Sequence, residues 1–250
     1  MLFRSKISSS ILLLFILVFT ACKKEIKEEP FVFNGTSFLE QVTEAINGNE
    51  ASKKIFQGLH NFNVPLNSYN KILVDSILIN NIRYFALLME NQNPIHNLFA
   101  IVDDELNVLL KDESLNGYLN LDFKKSGSRI FAVITEDFIS KASVKLRRIS
   151  YYSLEQHNSE LTFRQFTNIN TGEKESEQII TGISDTAIVT NIFFTKPKDE
   201  RSLKDVFNYN AGLQRYLSNK NLFDSLIIRE IRAIKTFSNK NLITDTTKKY

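Results

Sequence analysis

Two short motifs in this sequence place a serine where some hydrolases carry their nucleophile. Residues 182–186 read Gly-Ile-Ser-Asp-Thr, which begins like the G-x-S-x-G nucleophile elbow but lacks its second glycine. That elbow joins a strand to a helix, whereas this stretch falls between two predicted strands. Ser68 and Lys71 match the pattern S-x-x-K, a spacing that chance supplies often. Neither motif predicts a hydrolase on its own.

An acidic stretch resembles a calcium loop only in part. Asp103, Glu105 and Asn107 have its 1-3-5 ligand spacing, but Val108 and Ser114 stand where the loop requires Gly and Glu. We therefore expect an acidic hairpin turn at this point.

The histidines do not form a metal-binding pattern. His60, His96 and His157 fall in separate predicted loops, and no two of them have helical or strand spacing. A metal site would require three distant loops to converge, so we expect no metal and no other cofactor.

One long predicted strand offers the most suggestive binding face. Lys145, Arg147 and Tyr151 share that face, with Ile149 between them. Basic groups beside an aromatic ring can hold a sugar, a peptide carboxylate or a lipid phosphate. The same pattern is also typical of the solvated side of an antiparallel sheet, and both interpretations stay open.

Adjacent carboxylates on the preceding predicted strand do not suit acid–base chemistry. Glu136 and Asp137 would point to opposite faces of the strand, whereas an acid and a base must converge on one substrate atom. We therefore predict no catalytic residue, and a non-catalytic role is favoured over an enzymatic one.

The beginning of the chain predicts where the protein resides. Arg4 and Lys6 precede an unbroken apolar run at 11–19, and small Ala21 stands directly before Cys22. The run has nine residues, too few for a membrane-spanning helix, which needs about 20. This order of charge, apolar run and small residue is typical of a secretory signal peptide.

Because it ends on Cys22, the segment resembles the signal of a bacterial lipoprotein. The resemblance implies that residues 1–21 are removed and that Cys22 is acylated. It also implies attachment through the N-terminal lipid to a membrane of the cell envelope, which we expect to be the outer membrane. Residues 22–36 are then a charged tether, and both the periplasmic face and the cell surface stay possible.

Composition supports an ordinary folded domain after that tether. The chain is 43% hydrophobic and 24% charged, and Cys22 is its only cysteine, so no disulfide forms within it. Removing Arg4 and Lys6 from the 31 basic residues leaves 29 against 28 acidic ones. This near-neutral balance gives no electrostatic basis for binding nucleic acid.

Apolar periodicity predicts helices at both ends and strands between them. Phe38, Val42, Ala45 and Ile46 lie on one helical face that Gly48 can end, and a second helix is predicted at 51–59. Asn80 and Asn81 form a two-residue hairpin turn. The predicted strands are 71–79, 82–89, 97–102, 106–110, 118–123, 129–135, 143–154, 160–169, 175–181 and 186–195. Beyond these, 206–217 is a helix candidate, and 222–237 could be helix or strand.

Strands this close together, without helical crossovers, must pair antiparallel. We predict an α+β fold, mainly β, with an antiparallel meander or half-barrel-like sheet and N-terminal and C-terminal helices. Residues 37–243 form a single domain in this prediction. The expected function is a membrane-anchored exported lipoprotein acting as a non-catalytic binding or assembly module for an envelope protein, a glycan or an apolar ligand. The alternatives are a carrier of a lipid or other apolar ligand, and a tethered hydrolase.

Overall fold

The computed structural model describes residues 35–49, 52–53, 66–93, 96–105, 107–139, 144–155, 158–194 and 202–227. All of them belong to one compact unit, Asn34–Tyr250. The signal segment, Cys22 and nearly all of the tether lie outside the described residues. So do most of the predicted helix at 51–59 and residues 228–237.

The described residues form two antiparallel sheets in which each strand lies beside its neighbours in sequence. The four-stranded sheet contains β1 (Tyr69–Ile79), β2 (Ile82–Asn91), β3 (Leu98–Val102) and β4 (Val108–Asp112). The eight-stranded sheet contains β5 (Tyr118–Ser126), β6 (Arg129–Ile139), β7 (Lys145–Glu155), β8 (Asn158–Asn170), β9 (Glu175–Ile183), β10 (Ala187–Phe194), β11 (Leu203–Asn210) and β12 (Arg215–Leu217). The prediction of a mainly β, antiparallel chain is confirmed, although the strands divide between two sheets.

The first hairpin turns as the sequence predicts. Asn80 and Asn81 connect β1 to β2 with φ angles of 50° and 66°. Both values lie in the left-handed region, which a two-residue hairpin of this type requires and which Asn tolerates better than most residues.

The helix predicted at 206–217 is wrong, because this stretch forms β11 and β12. Phe207 is buried and its neighbour Val206 is more than a third exposed, so burial alternates with the period of a strand. Val206 lies opposite Val189 of β10. Pairing along β10 and insertion of Phe207 into the core therefore outweigh the local helical spacing.

The acidic stretch is a hairpin turn, and the strand after it begins later in the sequence than predicted. The Asp103 carboxylate accepts the backbone N–H groups of Glu105 and Asn107 at 3.0 and 2.8 Å. Since this turn extends through Asn107, β4 begins at Val108 and not at 106 as predicted.

The two faces of β6 and β7 carry different parts of the core. One face packs on the four-stranded sheet, and its buried residues are Ala132, Ile134, Tyr152 and Leu154, facing Tyr84, Ala86, Leu88, Phe99 and Ile101. The opposite face packs on the later strands, and its cluster contains Phe131, Val133, Tyr151, Phe163, Ile188, Phe207 and Tyr216. No face of this central part of the sheet is left to solvent along its whole length.

A partly buried ion pair joins the two sheets. Lys71 of β1 and Glu90 of β2 are 2.8 Å apart, and both bind the backbone of Leu119 in β5. Glu90 accepts the Leu119 N–H at 2.7 Å, and Lys71 donates to its carbonyl oxygen at 2.7 Å. The pair therefore occupies hydrogen-bonding groups that β5 would otherwise present as a sheet edge.

Helices flank the sheets. Helix α1 (Gly35–Ile46) buries Phe38, Val42 and Ala45 as predicted, and the Phe38 ring lies 5.3 Å from that of Phe85. Residues 222–227 are helical, and Asp205 accepts the N–H of Leu222 at 3.0 Å, at the start of that segment. Among the described residues, no helix is long and apolar enough to cross a membrane.

Candidate functional site

The two serines of the incomplete motifs have structural partners. Ser184 Oγ accepts the Ala187 N–H at 3.0 Å and donates to its carbonyl oxygen at 3.1 Å, which closes the turn between β9 and β10. Ser68 Oγ accepts a hydrogen bond from Asn91 at 2.5 Å, while Lys71 is directed to Glu90. Neither serine is beside a general base among these contacts.

The histidines take no part in these contacts of the two serines. His96 is exposed, whereas His60 and His157 lie outside the described residues. Within the described part of the chain, no group of three or more His, Cys, Asp or Glu side chains could hold a metal ion.

The predicted binding face on β7 is only partly accessible. Lys145 and Arg147 are exposed, and Arg147 Nε lies 2.7 Å from a carboxylate oxygen of Asp137. Tyr151 is 1% exposed and packs between Phe131 and Phe163. Burial, together with the charge of Asp122, raises the pKa of Tyr151 to about 12. The three side chains therefore do not present one surface to a ligand.

A second arginine on the same strand forms a fully buried ion pair. Arg148 Nε and Nη2 donate to the two carboxylate oxygens of Glu136 at 2.6 and 2.7 Å, and both side chains are 0% exposed. The two residues lie directly opposite each other on β7 and β6. Such a two-point pair fixes the arginine in one geometry.

Adjacent residues thus form ion pairs on opposite faces of one hairpin, Glu136 with Arg148 inside and Asp137 with Arg147 at the surface. The sequence predicted the opposite orientation of the two carboxylates, which is confirmed, but not their partners. Two acidic residues facing two basic ones across a predicted hairpin are the signal that identifies such pairs.

A further buried network ties β4 to β7 and β8. Asp112 accepts hydrogen bonds from the Tyr152 hydroxyl at 2.7 Å and from Arg164 at 2.5 Å. Burial alone raises the pKa of Asp112, but Arg164 and the bonds from Ser114 and Tyr152 lower it below its usual range. Arg164 also donates to the hydroxyl of Ser150 at 2.8 Å. These groups form hydrogen bonds with one another, so the Asp112 carboxylate is not available as a reactive group.

The cleft at one end of β7 and β8 has a different character. It is a small, open cleft lined by polar groups from two sheet regions, namely Ser153, Glu155, Glu160, Thr162, Tyr209 and Gln214. We call this the polar cleft.

Tertiary contacts hold the walls of the polar cleft. The amide of Gln214, oriented with Nε2 towards Glu160, donates to both oxygens of that carboxylate. Gln214 has a φ of 51°, an uncommon conformation for a residue other than glycine. Tyr209, another lining residue, has the guanidinium carbon of Arg129 at 3.7 Å from its ring centre.

The polar cleft presents hydrogen-bond acceptors more than reactive groups. Ser153 donates to Glu155 at 3.3 Å, and Thr162 donates to the backbone oxygen of Tyr151 at 3.1 Å. The carboxylate oxygens and the remaining amide oxygen can accept bonds from a ligand that carries several donors.

Sequence reasoning missed the polar cleft. Glu155 and Glu160 flank the predicted turn at His157, but nothing in the local sequence connects them to Gln214, which falls within the helix predicted at 206–217.

Comparison of the chain with protein-family models, with curated proteins and with solved structures gives no match in any of the three.

Proposed function

We propose that this chain is an exported lipoprotein, anchored in the cell envelope through Cys22, that binds a hydroxyl-rich ligand of the glycan class and does not turn it over. The polar cleft carries the proposal. Two carboxylates, an amide and three hydroxyl groups line it from separate strands and a turn, so hydrogen-bonding groups from distant parts of the chain meet there.

The chemistry of the cleft favours a neutral ligand rich in hydroxyl groups. Carboxylate oxygens accept charge-assisted hydrogen bonds, which are stronger than those between neutral groups. Arg129 stays close to Tyr209 at the same end of the molecule, so the acidic groups do not stand alone. An anionic ligand would meet Glu155 and Glu160, and like charges would repel it.

A non-catalytic role is supported by the positions of the candidate nucleophiles. Ser184 and Ser68 take part in a turn and in an amide contact, and neither of these contacts involves a histidine. The tethered hydrolase is therefore the less favoured alternative.

The carrier alternative predicts a large apolar cavity. The face of the eight-stranded sheet that could enclose one contains the packed rings of Tyr151, Phe163 and Phe207, with ring centres 5.8 and 5.1 Å apart along that series. These side chains occupy space that an apolar ligand would need, and this favours the polar cleft as the binding position.

We also propose that the eight-stranded sheet is half-barrel-like, with helices at both ends of the domain. Hydrogen bonds between distant turns support this curvature, since Ser126 donates to the carbonyl oxygen of Ile183 at 2.7 Å and Ser128 to Asp185 at 2.9 Å. Gly127, with a φ of 61°, permits the approach, because a Cβ atom there would lie 2.5 Å from the Asp185 carboxylate.

Titration calorimetry of the full chain with a panel of neutral oligosaccharides tests the ligand class. We expect at least one to bind, and Glu160→Gln to weaken it by about tenfold or more through loss of a charge-assisted bond. Glu173→Gln, at an exposed turn, is the matched control and should leave affinity unchanged. The proposal fails if no oligosaccharide binds, or if both variants bind like the unaltered chain.

The anchor is tested separately by Cys22→Ser. Acyl chains contribute about 0.8 kcal/mol per buried methylene, so a multiply acylated cysteine is held firmly in the membrane. We expect the variant to appear in the soluble fraction or as uncleaved precursor. A processed variant that still fractionates with membrane contradicts lipid attachment at Cys22.

A further inference from the structure

Strand β1 lies at an edge of the four-stranded sheet. Within the described residues it pairs only with β2. Leu73 and Leu78 are 36% and 56% exposed, and Asp75 is exposed as well. An accessible strand of 11 residues at a sheet edge can pair with another strand.

One contact shows in which direction the backbone N–H and C=O groups of β1 point. The N–H of Ser76 donates to the carboxylate of its neighbour Asp75 at 2.7 Å, so it points away from β2. Because alternate residues of an antiparallel strand direct their N–H and C=O groups to the same side, Ile72 and Val74 also point outward.

We propose that two copies of this chain associate through their β1 strands, antiparallel and centred on Leu73. The regular part of the strand, from Lys71 to Asp75, is complementary to itself in that register. The facing pairs are Leu73 with Leu73, Ile72 with Val74, and Lys71 with Asp75. Apolar residues meet apolar ones, and opposite charges meet.

Neighbouring registers lose this match. Centring the pair on Val74 places Leu73 opposite Asp75 and Lys71 opposite Ile77. Centring it on Ile72 places Lys71 opposite Leu73, and centring it on Asp75 brings two carboxylates together. Like charges or a charge opposite an apolar side chain are unfavourable in directly facing pairs, so the register centred on Leu73 is selected.

Lys71 can still form an ion pair with Asp75 of a second copy. Its ammonium group has three N–H donors, of which Glu90 and the carbonyl oxygen of Leu119 accept two. The side chain is 39% exposed, so the third donor can reach Asp75 of the second copy. The outcome is one continuous sheet of two four-stranded halves.

Cysteine cross-linking tests the register. In the full chain with Cys22→Ser, kept in detergent, Leu73→Cys should give a disulfide-linked dimer under mild oxidation. Facing residues of a non-hydrogen-bonded pair lie about 4.5 Å apart, which is within reach of a disulfide. Leu78→Cys is the control, because its more exposed side chain lies away from the centre of the pairing and does not face its own copy in the second chain. Equal cross-linking of both variants, or stronger cross-linking of Leu78→Cys, overturns the register.

Sedimentation of the unoxidised chain tests the association itself. We expect a monomer–dimer equilibrium that Asp75→Lys weakens by about tenfold or more, since each dimer contains two Lys71–Asp75 pairs. Asp104→Lys makes the same charge change at an exposed turn and should have no effect. A chain that is monomeric at every concentration, or equal dimerisation of both variants, contradicts the proposal.

Discussion

The buried pair of Arg148 with Glu136 and the polar cleft around Glu160 use the same kinds of side chain for different ends. In the first, a carboxylate and a guanidinium bind each other at 2.6 and 2.7 Å with 0% exposure. In the second, Glu160 is held from one side by Gln214 and lines a small, open cleft on the other.

This difference separates structural charge from charge that is available to a ligand. A buried pair has lost its hydration and must be compensated within the protein, so removing one partner leaves an uncompensated charge. A carboxylate at an open cleft keeps contact with water, and a ligand can replace that water. The number of charged groups in a region therefore says less about binding than their remaining hydrogen-bonding capacity.

The largest expected effect on stability is at the buried pair of Glu136 and Arg148. Glu136→Gln keeps the shape of the side chain but leaves Arg148 without its bidentate counter-charge, and we expect a loss of about 3–5 kcal/mol in the free energy of unfolding. Urea denaturation of the full chain measures it. The control is Asp137→Asn at the exposed Arg147 pair, which should cost about 1 kcal/mol or less. Equal losses in the two variants would remove the distinction between the pairs.

A second expected effect concerns the pH dependence of stability. Asp224 is buried in the helical segment 222–227 and accepts the N–H of Phe166 at 3.0 Å. Burial raises its pKa to about 7, although the Phe166 bond and Arg148 act in the opposite direction.

The folded chain therefore binds more protons than the unfolded chain between the ordinary pKa of 3.8 and about 7. Stability contributed by the protonated carboxyl is present at low pH and is lost as pH rises through this window. We expect Asp224→Asn, which can still accept the Phe166 bond, to flatten the decline. Unfolding midpoints in urea across the window measure it, and identical pH slopes for variant and unaltered chain would refute the assignment.

The smallest effect is expected at the polar cleft. Glu155→Gln and Glu160→Gln should each change the free energy of unfolding by less than about 1 kcal/mol, because partly solvated charges contribute little to stability. The same denaturation experiment measures it. A loss as large as that of Glu136→Gln would make the cleft carboxylates structural and would argue against a role in binding.

Local patterns were sufficient to predict the β hairpins and insufficient to predict the cleft. Alternating apolar residues and the Asn80–Asn81 pair specify strands and a turn through interactions within a few residues, so β1 and β2 could be predicted. For the stretch at 206–217, local spacing favoured a helix, and only pairing along β10 and burial of Phe207 determine the strand.

The candidate site depends on contacts between residues distant in sequence. Glu160 and Gln214 are more than fifty positions apart and meet because β12 lies near β8. The burial of Tyr151 could not be predicted, since the later strands that cover it leave no mark in the local sequence. Accessibility was the quantity that sequence patterns could not supply.

The central claim is that the polar cleft binds its ligand without changing it. The most direct measurement is to incubate the full chain with the oligosaccharide that binds best and to follow the intact sugar by mass spectrometry. We predict complete recovery of the unaltered oligosaccharide at saturating protein. Cleavage products that disappear in Glu160→Gln would contradict the claim and would make that carboxylate part of a catalytic site.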